Sequence, residues 1–157
     1  MLVKRLRLAA VGAMAGLVMT GCGLIGESLP TVEPPELPSG SSSAGSVSGR
    51  DFDDDPVAGA GWMFTTPLAS TELTRFYQAI ADRKADQLVT PTHQSSTATC
   101  WSWQASGHWS SIGLIQGTRN RYVVFNAATT TLEENLEGQD RCELTRRYIT
   151  EFDEWLG

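Results

Sequence analysis

The chain has 157 residues, 41% of them apolar and 19% charged, with 18 acids against 12 bases and a formal charge of −6. A pI near 4.8 argues against a nucleic-acid binder, because phosphate binding needs clustered Lys and Arg. A mean hydropathy of −0.18 argues against a polytopic membrane protein. In chain order, the first feature is a basic patch, Lys4, Arg5 and Arg7, followed by thirteen uncharged residues from Leu8 to Thr20. That stretch has the length of the apolar core of a secretory signal and is too short to cross about 30 Å of hydrocarbon as a helix.

The apolar stretch ends in Met19-Thr20-Gly21-Cys22. This run resembles the lipobox of bacterial prolipoproteins: an aliphatic residue, a small residue, Gly or Ala, then Cys. The resemblance covers about 22 residues, with Met19 where Leu is usual. It implies diacylglycerol transfer to the Cys22 thiol and cleavage between Gly21 and Cys22. The alternative is an ordinary signal peptide cut nearby, with Cys22 free or disulfide-bonded. Three Cys are present, at 22, 100 and 142, so lipidation of Cys22 leaves an even pair. The expected location is the extracytoplasmic face of the cell membrane, held by acyl chains worth about 0.8 kcal/mol per CH₂.

Residues 22–56 read as an acidic tether. Five of the seven Pro fall here (Pro30, Pro34, Pro35, Pro38 and Pro56), with a Ser/Gly run from Ser39 to Gly49 and seven acids against Arg50 alone. So few apolar side chains cannot offset the entropy of ordering. A disordered coil of this length spans roughly 30–35 Å on average and roughly 110–120 Å fully extended. The acidic run Asp51 to Asp55 lacks the ligand spacing of an EF-hand loop and reads as a solvated charge run.

Residues 57–157 hold every Trp and Tyr, so the core belongs there. Leu73, Phe76, Tyr77, Ile80, Ala81 and Leu88 recur at helical spacing between Ser70-Thr71 and Pro91, which predicts a helix over about 71–89. Thr97 to Gln104, Trp109 to Gln116 and Arg121 to Asn126 read as a three-stranded meander, with turns at 105–107 and 117–120. A short strand at Trp62 to Thr65 joins it in this reading. Cys142, Thr145, Tyr148, Ile149, Phe152, Trp155 and Leu156 predict a second amphipathic helix over 139–156. The expected fold class is α+β: a small antiparallel sheet packed by an N-terminal and a C-terminal amphipathic helix.

Export supplies an oxidising compartment, so a Cys100–Cys142 disulfide is expected; its loop of about 43 residues implies roughly 4 kcal/mol of stabilisation. The first domain helix, Leu73 to Leu88, resembles the opening helix of nuclear-transport-factor-2-like and cystatin-like lipoprotein domains. That resemblance implies one helix packed into a curved sheet and carries over no active-site residue; the long helix expected after the strands departs from it.

No Gly-x-Ser-x-Gly elbow, phosphate-binding loop or dinucleotide fingerprint is present, and neither His93 nor His108 has Cys or His at zinc-ligand spacing. No catalytic residue, metal or cofactor is therefore assigned. The aromatic cluster is the candidate binding feature: Trp101, Trp103 and Trp109 with His108, and Tyr122 on a neighbouring strand. It reads either as core or as an exposed face that stacks on sugar rings or anchors a protein. The leading expectation is a non-enzymatic envelope lipoprotein that meets an envelope protein or a cell-wall glycan, with the membrane as its anchor and no nucleic-acid partner. A wall-acting hydrolase or its accessory is the second reading, and a phage or prophage superinfection-exclusion lipoprotein the third.

Overall fold

Arg121 to Asn126, the run richest in β-branched and aromatic residues, lies inside the sheet, flanked by strands on both sides. The computed structural model describes residues 30–51, 57–105, 107–130 and 153–157. Its strands are β1 (Ser42–Asp51), β2 (Val57–Thr65), β3 (Pro91–Gln94), β4 (Ala98–Ala105), β5 (His108–Gln116) and β6 (Arg121–Thr130). They form one antiparallel sheet in the order β1-β2-β6-β5-β4-β3. Helix α1 (Ser70–Ala85) links β2 to β3 across one face, and a single turn, α2 (Asp153–Leu156), lies near the C-terminus.

The expected meander is present as β4, β5 and β6. Arg119 and Asn120, at φ 54° and 58°, make the tight β5–β6 turn, and the Arg121 N–H donates to the Thr118 carbonyl across it. Two consecutive left-handed residues match the right-handed twist of the flanking strands.

The expected packing is corrected. The sheet has six strands and, among the described residues, only one face is covered by a full helix and the C-terminal element is helical only over Asp153–Leu156. The rest of the helix expected over 139–156 lies outside the described residues. Helix α1 is also shorter than expected. Asp86 turns left-handed (φ 53°) and ends it, so Leu88 lies beyond the helix, 90% exposed, while Val89 is buried. Leu73, Tyr77, Ile80 and Ala81 face the sheet at 3.6-residue spacing. Each fully buried aliphatic of that row contributes about 1.5–3 kcal/mol.

Of the three strands beyond the meander, β2 and β3 lie in the expected domain, whereas β1 comes from residues that composition assigns to the tether. The Ser/Gly run forms β1, which pairs with β2 from Ser42↔Thr65 to Asp51↔Val57. Main-chain hydrogen bonds need no side chains, so a Gly/Ser sequence can occupy a sheet edge. Val47 is the side chain of this strand that enters the core. Pro30 to Pro38 is ordered as well. It runs as an extended strap across the helix side of the sheet and reverses at Ser39–Gly40, where Gly40 takes φ 80°, to enter β1.

Both faces of the sheet are buried, which explains why β4 to β6 read as nearly continuous apolar runs. The helix side holds Phe64, Tyr77, Trp101, Trp103, Ile112, Tyr122 and Val124. The opposite side holds Val47, Ile115, Val123, Phe125 and Ala127, with Trp155 and Leu156 packed against them.

Candidate functional site

The strap is held by three side chains that donate to strap carbonyls. The Asn126 amide donates to the Glu33 carbonyl at 2.7 Å, the Trp62 indole N–H to Pro35 at 2.9 Å, and the Tyr77 hydroxyl to Glu36 at 3.2 Å. Four Pro in the strap remove N–H groups that would otherwise need partners, and leave carbonyls free to accept. Pro35 and Pro38 are buried, and Val32 packs against Ala58 and Ala128. The Arg83–Glu36 ion pair at 3.4 Å is solvent-exposed and adds little.

Between the strap, the last turns of α1 and the strands lies an open cleft of about 580 Å³. Asn126, Ser110 and Trp103 line its floor, and Ile80, Lys84 and Glu33 its sides. Burial lowers the pKa of Lys84; Glu36 raises it, Arg83 lowers it, and Glu33 raises it. Burial raises the phenol of Tyr77 well above its ordinary value, and that of Tyr122 in the same direction. The cleft is therefore a mixed polar and apolar surface, suited to binding through hydrogen bonds and an aromatic edge.

The candidate aromatic residues do not share one exposed face. Trp101 and Trp103 do point the same way, but onto the helix side of the sheet, where Trp101 is fully buried and Trp103 is 7% exposed. The Trp101 indole donates to Gln78 Oε1 at 2.7 Å, and Gln78 with Asp82 holds the backbone of Val89. Tyr122 is buried beside Phe64 on the same side, their rings 5.7 Å apart. His108 is half-buried next to the cleft, its Nε2 3.2 Å from the Ser110 hydroxyl. Trp109, paired with Thr129 and Gln104, falls on the opposite face by register.

Cys100 is buried and disulfide-bonded, and its partner lies outside the described residues. Cys22 and Cys142 also lie outside them. His93 pairs with Cys100 across β3 and β4, half-buried at the sheet edge. Among the described residues, no three His, Cys, Asp or Glu side chains converge as a metal would require, and no helix is long and apolar enough to cross a membrane.

The residues that sequence reasoning missed are Trp62, Tyr77 and Asn126 as strap holders. Asn126 carried a signal: it occupies an inward position in register with Tyr122 and Val124, where an apolar residue is expected. No family model, curated protein or solved structure matches the chain.

Proposed function

We propose that this chain is an exported lipoprotein, anchored through Cys22 on the extracytoplasmic face of the cell membrane, whose domain works as a binding module rather than an enzyme. The observation that carries the reading is Met19-Thr20-Gly21-Cys22 at the end of an uncharged thirteen-residue run behind Lys4, Arg5 and Arg7. The disulfide at Cys100 supports it, because such bonds persist in oxidising compartments outside the cytosol. With Cys22 lipidated, Cys142 is the partner of Cys100. The binding surface in this reading is the cleft beside the strap, and its partner is an envelope protein or a wall glycan. Cys22→Ala tests the anchor. The substituted protein should leave the membrane fraction and lose label from clickable palmitate. Retention in the membrane with unchanged labelling would overturn the reading.

A further inference from the structure

The docked strap changes where the domain can stand. If the whole of 22–56 were coil, the domain would search a shell tens of Å deep. Instead the strap is fixed to the sheet and α1 from Val32 onward, so only residues 23–29 separate Cys22 from Pro30. Whatever their conformation, seven intervening residues span at most about 28 Å.

Pro30 also has a defined place. It lies beside Ser48, Gly49, Ala58 and Gly59, at the end of the sheet where β1 turns into β2. The C-terminal end of α1 points to that same end, because Ile80 and Lys84 line the cleft together with Pro30, Trp103 and Ala105. Leu88, the one large apolar side chain that is fully exposed among the described residues, follows directly. The opposite end carries the β5–β6 turn at Arg119 and Asn120. From Ala58 to Thr65 the strands put about 24 Å between the two ends.

Resting on the anchoring reading above, we infer that the strap is a spacer clamp: it turns the Pro30 end of the sheet, with Leu88, toward the bilayer that holds Cys22 and keeps it within about 28 Å of the lipid surface. The partner of this surface is the membrane itself. Contact is not driven by charge, since Glu33, Glu36, Asp51 and Asp86 at or near this end outnumber Arg50, Arg83 and Lys84. The short chain sets the height, and Leu88 is the apolar group at the approaching end. A single exposed Leu means little alone. It gains meaning here from its position at the end where the anchor attaches.

The test uses the mature chain from Cys22, coupled through that thiol to a maleimide lipid in phosphatidylcholine vesicles carrying a headgroup acceptor dye. A donor is introduced as a fluorescent amino acid at Leu88 or at Arg119. Energy transfer should be several-fold stronger from position 88 than from position 119. Inserting twenty Gly/Ser residues between Ser28 and Leu29 should abolish the contrast without touching the fold, and Trp62→Phe with Tyr77→Phe should weaken it. Equal transfer from both positions in the unmodified chain would overturn the clamp. Because the lipid is attached chemically, that failure is distinct from a lack of palmitate on Cys22 in cells, which would overturn the anchoring reading alone.

Discussion

The two faces of the sheet are buried by different means. The helix side is built from large aromatic residues whose polar atoms reach partners: Trp101 to Gln78, Trp62 to Pro35, Tyr77 to Glu36. On the opposite side, the central row is built from small residues around one ring. Val47, Gly61, Phe125, Gly113, Cys100 and His93 form a single row across all six strands. A Cβ on Gly113 would come within 2.2 Å of the Phe125 ring, so the ring lies flat over a residue that must lack one. An added Cβ in the row therefore has no room, whereas the helix side depends on keeping its hydrogen bonds.

The sharpest way to break the comparison is to empty each side in turn. Trp101→Ala and Phe125→Ala should each lower stability by about 3–5 kcal/mol in denaturant titrations. Equal losses on both sides would show that the small-residue face is as much a core as the helix face. Next comes the staple on the Phe125 side. Cys100→Ser should cost about 2–5 kcal/mol, with a lower Tm under non-reducing conditions and no further loss on adding a reductant.

Gly113→Ala should cost about 1–3 kcal/mol through overpacking. Adding Phe125→Leu should recover part of that loss, a coupling that a double-mutant cycle reads directly. The smallest effect belongs to the helix side. Tyr77→Phe removes only the hydroxyl on the strap and should cost about 1 kcal/mol. It should also change the alkaline limb. The buried phenol keeps its proton to higher pH in the folded chain than in the unfolded one. Its contribution is complete below about pH 10 and is lost as pH rises above that value, a slope that Tyr77→Phe should flatten.

How far the sequence could be read follows the same division. Helix α1 and the meander were legible because periodic apolar residues mark them: Leu73, Tyr77 and Ile80 at helical spacing, Arg121 to Asn126 as a β-branched run. Strand β1 was not legible, because an edge strand is held by its backbone, and Ser42 to Gly49 has the side-chain content of a linker. The strap was missed for a related reason. Its Pro residues signal an extended chain but do not reveal the donors on Trp62, Tyr77 and Asn126, which lie between 27 and 93 residues away. Strand alternation puts Trp101 and Trp103 on one face, yet periodicity alone cannot say which side of a sheet the helix covers when both are buried.

The position of β6 between β2 and β5 sets the order in which this molecule can be finished. The hairpin of β1 and β2 has one neighbour missing until residue 121 and beyond arrive, some sixty positions later in synthesis. Closing so distant a gap is slow, since the chain must lose much of its freedom before the ladder rewards it. A polypeptide threaded N-terminus first through a narrow conduit would thus remain pliable for most of its passage and lock only after the last strand emerged.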